Sequence, residues 1–203
     1  MAWKASIGGE LTSASREEVL RMKRRYLGAT ELATRMSEMI WFDMLVHETK
    51  FGITPFEVLA AIREVEAGET QLRTKKASEF TRPPLKGLWH KHYFSARFLA
   101  HNILLGWGAT GLKQIIEQEM NPAKSPTVNH EMIEAMATRA VAEPIERRFN
   151  AGKITGEWVV FAKNNGENYY LCMGTHEMGD QMIYDNIMTG CRHDFPDLQS
   201  WFG

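Results

Sequence analysis

The feature that most constrains this fold is the dipeptide Asn165-Gly166, which separates two runs of strand-forming residues. The first run covers residues 154 to 163 and the second covers 168 to 174, and both are rich in β-branched and aromatic residues. Asn-Gly is the preferred sequence for the tight primed turn of a β-hairpin. The sequence therefore predicts a β-hairpin over residues 154–174.

The first strand of this hairpin is apolar on both faces. Side chains alternate along a strand, so Trp158 and Val160 share one face while Val159 and Phe161 share the other. We therefore expect the strand to be covered on both sides. Because a lone two-stranded ribbon is only marginally stable, we also expect at least one further strand.

Helix signals dominate the rest of the chain. Ser15 and Glu18 have the spacing of a capping box, and Thr54-Pro55 is typical of a helix start. We predict a helix from about residue 88 to 105 and a last helix over residues 181–189, with Asp180 as its N-cap. The predicted class is α+β, with a mainly helical N-terminal three-quarters, a small antiparallel sheet formed by the hairpin and a C-terminal helix.

Length and composition indicate one domain and exclude some classes of protein. The chain has 203 residues and a formal net charge of −1, so its bulk charge does not favour a nucleic acid or a membrane. We expect a single domain over residues 1–203, with a helical region 1–68 and an α+β core 69–203 as its subdivision. No apolar run reaches the roughly 18 residues of a membrane span, so no membrane partner is expected. Cys172 and Cys191 lack the spacing of a zinc site, and reduced thiols in a cytoplasmic protein are expected.

A first group of candidate catalytic residues lies in the predicted helix 88–105. On a helix, His90, Arg97 and His101 would share one face, where imidazoles can exchange protons and a guanidinium can hold an anion. The alternative is a polar stripe on an amphipathic helix. The neighbouring His92 would point away from His90 on a helix, so we predict no metal site and no cofactor.

A second group, Thr175 and His176, follows the second hairpin strand directly. Loops at strand ends often carry functional side chains because the strands hold them in place. The candidate catalytic residues are therefore His90, His92, Arg97, Thr175 and His176. The alternative for the second group is a turn that only leads into the last helix.

A local charge asymmetry suggests a binding surface. Residues 73–97 contain seven lysines and arginines against one glutamate, whereas residues 154–203 contain two basic and seven acidic residues. Basic side chains interleaved with aromatic ones can hold phosphates while bases stack. The candidate binding residues are Lys75, Lys76, Lys86, Trp89, Lys91 and Tyr93. Packing of the basic segment against the acidic one or against a partner is the alternative.

Three functional hypotheses remain, because the sequence lacks the phosphate-binding, dinucleotide-binding, serine-hydrolase and zincin motifs. The first is a cytoplasmic regulatory or interaction protein that acts by contact with another protein. The second is a metal-independent ribonuclease in which His90, His92 and His176 exchange protons while Lys91 and Arg97 hold phosphate. The helical region, hairpin and strand-end histidine resemble small metal-independent ribonuclease toxins in layout alone. The third is a non-catalytic protein that binds RNA or DNA through residues 73–97.

Overall fold

The structure is a computed structural model, and the chain forms two compact units within it. It describes residues 2–7, 10–68, 75–93, 99–108, 111–123, 125, 127–150, 157–175 and 178–202. The first unit comprises Met1–Phe94 and Gly156–Gly203, and the second comprises Ser95–Thr155. Whether the chain is one domain with a subdivision near residue 68 stays a prediction.

The helices and strands have the following bounds. The strands are β1 (Ala2–Ile7), β2 (Glu10–Ser15), β3 (Ser78–Glu79), β4 (Trp89–His92), β5 (Trp158–Asn164) and β6 (Glu167–Gly174). The helices are α1 (Arg16–Leu27), α2 (Glu31–Thr34), α3 (Glu38–Phe51), α4 (Pro55–Ala67), α5 (Leu99–Trp107), α6 (Gly111–Glu119), α7 (His130–Ala137), α8 (Glu143–Asn150) and α9 (Asp180–Gly190). A π-helical turn, Thr138–Ala142, joins α7 to α8, and a 3-10 turn, Leu198–Trp201, lies near the end of the chain.

The strands form two antiparallel sheets rather than one. Strands β1 and β2 form a two-stranded sheet, and the larger sheet has the order β3-β4-β5-β6. The chain is α+β and about 54% helical, but the predicted layout is wrong. The N-terminal three-quarters contributes four strands, so the sheet is not confined to the hairpin 154–174. Strands β1 and β2 were missed because they contain small and polar residues instead of a clear apolar alternation.

The predicted helix over residues 88–105 is also wrong at its start. Residues Trp89–His92 form strand β4, which pairs with β5 and places His90 opposite Val160. Helix α5 covers Leu99–Trp107. Pairing with a buried strand outweighs the local helix preference of this segment, because the pairing satisfies its backbone in the core.

The predicted hairpin is confirmed, with β5 beginning at Trp158. Its turn has positive φ at both central residues, 51° at Asn165 and 82° at Gly166, as a primed turn requires. All residues from Trp158 to Ala162 are buried, so the expectation that this strand is covered on both sides is confirmed. The further strand that we expected is β4, which lies beside β5.

Helices cover both faces of the larger sheet. Helices α3 and α4 pack on one face, where Phe161 and Tyr170 join Trp41 and Leu59 in one core. Helix α9 packs on the other face, and its residue Ile183 shares a second core with Val160 and Leu171. The sheet is therefore the middle layer of the first unit.

The predicted N-terminal cap is confirmed for α1 and is wrong for α9. Ser15 and Glu18 form the predicted capping box at the start of α1. The N-cap of α9 is Gly179 without a side-chain hydrogen bond, so Asp180 is the first helical residue and the prediction that it caps the helix is wrong. Among the helices of the described residues, none has both the length and the apolar character needed to cross a membrane.

The second unit consists of helices α5 to α8. Its interior includes Ile115, Met132 and Ala140. The indole Nε1 of Trp107 donates a hydrogen bond to the carbonyl oxygen of Ala140 over 2.6 Å. This bond ties α5 to the π-helical turn.

A buried ion pair joins α4 to β4. Lys91 Nζ lies 2.8 Å from Glu64 Oε2, and the two side chains are only 2% and 5% exposed. The same ammonium donates a hydrogen bond to the carbonyl oxygen of Lys75 over 2.9 Å. A charge taken out of water is costly unless it is paired, so each partner makes burial of the other tolerable.

We predict that removing one partner of this pair destabilises the protein strongly. Lys91→Met leaves the Glu64 carboxylate buried without its ammonium partner and should lower the free energy of unfolding by about 3–5 kcal/mol. The double variant Lys91→Met/Glu64→Leu should recover most of that loss. Urea unfolding followed by circular dichroism measures both effects.

The matched control is Lys50→Ala. Lys50 Nζ lies 2.5 Å from Glu10 Oε2, but these side chains are 34% and 74% exposed. An exposed pair contributes about 1 kcal/mol or less. Equal losses in Lys91→Met and Lys50→Ala would contradict the role given to the buried pair.

Candidate functional site

Strand β4 divides the predicted site residues between two faces of the sheet. His90 and His92 lie on the α9 face beside Trp158, with their ring centres 5.7 Å apart. Trp89, Lys91 and Tyr93 lie on the face that α3 and α4 cover. The strand therefore does bring His90 and His92 together, which the predicted helix would not have done.

The two histidines are engaged within the fold. His92 is buried, and its Nε2 accepts a hydrogen bond from the indole Nε1 of Trp158 over 3.1 Å. An indole nitrogen only donates, so this Nε2 carries no proton. His90 Nε2 lies 3.2 Å from the hydroxyl of Ser78, and its ring contacts the ring of Phe80 at a tilt of 38°. His90 thus contacts the segment that precedes β4, whereas His92 contacts Trp158 within the sheet, and their catalytic role stays a prediction.

Two of the predicted binding residues point into the core. Lys91 is paired with Glu64, as described above, and Tyr93 is buried with its hydroxyl donating to Glu157. Neither side chain presents its polar group to solvent, where a phosphate could reach it. Lys75, Lys76 and Lys86 are exposed, and Trp89 is half-buried.

Trp89 lines a groove of about 530 Å³, which we call the Trp89 groove. This volume lies within the range typical of small-molecule sites. Three parts of the first unit border it, namely the end of α4, the segment before β3 and the β5–β6 hairpin. Its lining residues are Glu64, Val65, Gly68, Lys76, Ala77, Trp89, Lys91, Phe161, Lys163, Gly166 and Asn168.

The Trp89 groove has a net positive lining. Lys163 Nζ lies 3.4 Å from the centre of the Trp89 ring, in a cation–π contact. Because Lys91 and Glu64 neutralise each other, Lys76 and Lys163 supply the net charge. Lys163 was not among the predicted binding residues, since it belongs to an otherwise acidic part of the sequence. Lys86 is exposed but does not line the groove.

In the strand-end loop, the structure describes Thr175, Met178 and Gly179. The hydroxyl of Thr175 accepts a hydrogen bond from the backbone N–H of Met178 over 3.3 Å. Arg97 and His176 lie outside the described residues. Their proposed convergence with His90 and His92 therefore stays a prediction.

A cluster of four polar side chains, which we call the Asp43 cluster, lies where β4 ends and β5 begins. It consists of Asp43 and His47 from α3, Tyr93 next to β4 and Glu157 next to β5. His47 Nε2 lies 2.9 Å from Glu157 Oε2. The same carboxylate oxygen accepts a hydrogen bond from the hydroxyl of Tyr93. Asp43 Oδ2 accepts the backbone N–H of Met173 over 2.8 Å.

The hydrogen bonds of His47 show that one proton is shared. Its Nδ1 lies 2.7 Å from the carbonyl oxygen of Asp43, which can only accept, so Nδ1 carries a proton. Its Nε2 faces a carboxylate oxygen of Glu157, so a further proton lies between the ring and the carboxylate. The pair therefore exists either as imidazolium and carboxylate or as neutral imidazole and carboxylic acid.

Burial and neighbouring charge shift the pKa values in the Asp43 cluster. Burial raises the pKa of Asp43 to about 6, against the N–H bond from Met173 and the charge of His47, while the charge of Glu157 raises it further. Burial lowers the pKa of His47, but the hydrogen bond and charge of Glu157 outweigh this, so the net shift is upward. Burial and Glu157 raise the pKa of the Tyr93 hydroxyl far above its usual range. No sequence motif signals this cluster, because Glu157 is remote in the chain from α3.

Among the described residues, one group has the spacing of metal ligands. Atoms of Glu38, His193 and Asp194 lie within 4.8 Å of one another. Arg16 Nε already holds both carboxylate oxygens of Glu38, at 2.9 and 2.8 Å, and Asp194 accepts the backbone N–H of Glu38 over 2.8 Å. The carboxylate of Glu38 is thus engaged in an ion pair, and that of Asp194 caps the start of α3. We therefore assign no metal ion to this group.

Comparison of the chain with protein-family models, with curated proteins and with solved structures gives no match. Function has to be inferred from the geometry and charge of the Trp89 groove and the Asp43 cluster themselves.

We predict that Asp43 makes the protein less stable as the pH rises from about 4 to about 6. A carboxyl whose pKa is higher in the folded state favours folding while it is protonated, and this advantage is lost as the pH rises to the folded-state pKa of about 6. A shift of about two units corresponds to about 3 kcal/mol. The raised pKa of His47 acts in the same direction at higher pH.

The measurement is urea unfolding of the wild type and of Asp43→Asn across this pH range. The difference between the two proteins isolates Asp43, because all other titrating groups are shared. The free energy of unfolding of the wild type should fall relative to that of Asp43→Asn by up to about 3 kcal/mol. Parallel curves for the two proteins would show that Asp43 titrates normally.

Proposed function

We propose that this protein binds single-stranded nucleic acid in the Trp89 groove. The observation that carries the proposal is the position of Lys163 and Lys76 around the half-buried indole of Trp89. A base can stack on the indole while the lysines hold the adjoining phosphates. Two of the residues expected from the basic stretch 73–97, Lys76 and Trp89, line this groove.

The energetics favour a stacked base at this position. Stacking of a base on an aromatic side chain contributes about 1–3 kcal/mol. Lys163 occupies the indole face in the free protein, and its side chain is exposed and long enough to move aside. We expect the incoming base to displace the ammonium group, which then pairs with a phosphate.

A single strand suits the groove better than a duplex. The indole lines a groove that residues of α4 and of the β5–β6 hairpin also line, so we expect that a base has to leave its stack to reach it. Phosphate contacts from two lysines carry no sequence information. We therefore expect binding with little base preference and with strong salt dependence.

The ribonuclease hypothesis has less support than nucleic-acid binding, because its predicted histidines do not lie on the face of the sheet that carries the Trp89 groove. His90 and His92 lie on the α9 face, and Lys91 is committed to Glu64. The Trp89 groove contains no imidazole among its described lining residues. Binding without cleavage is therefore the function that we assign to this groove.

We infer that the protein acts in a reducing compartment such as the cytoplasm. Cys172 and Cys191 are both free and buried, and the thiol of Cys191 donates to the carbonyl oxygen of Leu171 over 3.3 Å. Burial raises the pKa of both thiols, which keeps them protonated and unreactive.

The double variant Lys76→Glu/Lys163→Glu tests the nucleic-acid proposal. Fluorescence anisotropy with a labelled single-stranded RNA should show at least a tenfold loss of affinity. The slope of log K against log salt should fall in magnitude by about 1.4, because each phosphate contact on a single strand contributes about 0.7. Intrinsic fluorescence of the wild type should also change on binding, because a base would stack on Trp89.

Lys86→Glu is the matched control for each of the single variants Lys76→Glu and Lys163→Glu, since it reverses the charge of one lysine outside the groove. It should retain nearly full affinity. Equal losses in Lys86→Glu and in the double variant would show that the basic surface as a whole binds, without a groove. Absence of RNA binding by the wild type would end the proposal.

A second candidate function is protein contact through the helical second unit. Several of its large apolar side chains are exposed, including Leu104 at 58%, Val128 at 60% and Ile133 at 47%. Apolar surface on helices commonly marks an interface. Most soluble oligomers are built from identical chains, so we propose a second copy of this protein as the partner.

Sedimentation velocity tests this second candidate. The wild type should self-associate as its concentration rises, and Leu104→Lys/Ile133→Lys should remain monomeric because a charge in an apolar interface is costly. Lys113→Glu is the control, since Lys113 is an exposed polar residue of the same unit. A wild type that stays monomeric from micromolar to millimolar concentration would contradict self-association.

A further inference from the structure

The indole of Trp89 is covered by a side chain of the protein itself. Lys163 Nζ lies 3.4 Å from the centre of the Trp89 ring, so the ammonium occupies a ring surface on which a base would have to stack. Lys163 is an exposed residue, and burial therefore does not force it into this position. An aromatic ligand of the Trp89 groove has to compete with this ammonium group for the ring.

The sheet positions Lys163 for this contact. Trp89 pairs with Phe161 of β5, and Lys163 follows Phe161 by two residues on the same face of that strand. Such diagonal neighbours are about 7–8 Å apart, a distance that a long side chain can span. Lys163 in turn pairs with Asn168 of β6, so the hairpin fixes its backbone. Only the side chain of Lys163 therefore has to move when the ring is uncovered.

Little besides the ring holds the ammonium group of Lys163 in place. In the part of the chain that the structure describes, no carboxylate lies within ion-pair distance of this ammonium, whereas that of Lys91 is neutralised by Glu64. An exposed cation–π contact is weaker than a hydrogen bond between an ammonium and a phosphate. A phosphate next to a stacked base therefore offers Lys163 a better partner than the ring, and an uncharged ligand offers it none.

We propose that Lys163 is a latch that admits nucleotides to the Trp89 groove and disfavours nucleosides. The proposal rests on the binding of nucleic acid in this groove, and it adds the chemical unit that the groove recognises, which is one base with its adjoining phosphate. A nucleotide replaces the cation–π contact by a stacked base and gives the ammonium a phosphate. A nucleoside displaces the ammonium from the ring without providing an anion for it.

Lys76 allows the latch to be distinguished from simple attraction of an anion. Its side chain also lines the groove and is exposed, but among the described residues the cation over the Trp89 ring is that of Lys163. Removing the charge of Lys76 should weaken the attraction for a phosphate while the ring stays covered. Removing the charge of Lys163 should weaken that attraction and also uncover the ring.

The test compares adenosine with adenosine monophosphate as ligands of the full chain. Chemical-shift titration of the Trp89 indole N–H gives the dissociation constants for the wild type, Lys163→Ala and Lys76→Ala. Lys163→Ala should bind adenosine about two- to fivefold more tightly than the wild type, because no ammonium competes for the ring. It should bind the monophosphate at least about twofold more weakly, because the lost charge-assisted hydrogen bond outweighs the relieved competition. Lys76→Ala should weaken binding of the monophosphate and leave that of adenosine unchanged.

The latch can also be observed in the free protein. Protons close to the face of an indole resonate upfield because of its ring current, so the ε-methylene signals of Lys163 should lie upfield of those of Lys76. Saturation with adenosine monophosphate should bring them close to the position of the Lys76 signals. Lys163 signals at the ordinary position in the free protein would contradict the latch, whatever the groove binds.

The latch and the binding of nucleic acid fail in different ways. Weaker binding of both adenosine and its monophosphate by Lys163→Ala, or equal changes in Lys163→Ala and Lys76→Ala, would overturn the latch and leave nucleic-acid binding intact. Binding of single-stranded RNA without binding of the monophosphate would also overturn the latch, because one base and its phosphate would not be the unit recognised. Upfield Lys163 signals in a protein that binds neither RNA nor the monophosphate would overturn the proposed function, and the latch with it.

Discussion

The buried ion pair between Lys91 and Glu64 is the contact on which the two sites depend. It places an ammonium group in the middle of β4, under α4, where only a carboxylate from that helix makes its burial tolerable. Once Lys91 faces α4, the alternation of a strand requires Trp89 and Tyr93 to face the same way. The ion pair therefore fixes the face of the sheet on which Trp89 of the Trp89 groove and Tyr93 of the Asp43 cluster lie.

The two sites lie at opposite ends of β4, and their electrostatics differ in sign. Trp89 and Tyr93 are four residues apart, which corresponds to about 13 Å along a strand. At Trp89 the net charge comes from Lys76 and Lys163, and an anion is favoured. At Tyr93 the carboxylates of Asp43 and Glu157 dominate.

The parts of the fold that short-range chemistry determines could be predicted from the sequence. Asn165-Gly166 determines a primed turn, and Ser15 with Glu18 determines a helix start, whatever the rest of the chain does. Strand β4 could not be predicted in this way. A lysine between two histidines is typical of a surface, and only Glu64, remote in sequence, makes Lys91 a core residue.

The candidate sites were predictable to a similarly limited degree. The basic and aromatic composition of residues 73–97 led to Lys76 and Trp89, but Lys163 comes from β5 and meets them only through the sheet. The Asp43 cluster forms because α3 packs near the ends of two strands. No spacing of residues in the sequence predicts that contact. Periodicity can assign a face to a residue once the element is known, but it does not identify the partner across the core.

The central claim, that the Trp89 groove binds single-stranded nucleic acid, is tested most directly by titrating isotope-labelled protein with a short single-stranded RNA. Heteronuclear NMR would follow the indole N–H of Trp89 and the backbone amides around it. Binding in the groove should produce saturable shifts of that indole signal and of the amides of Lys76, Lys163 and Asn168. An unchanged Trp89 signal, or shifts confined to another surface, would contradict it.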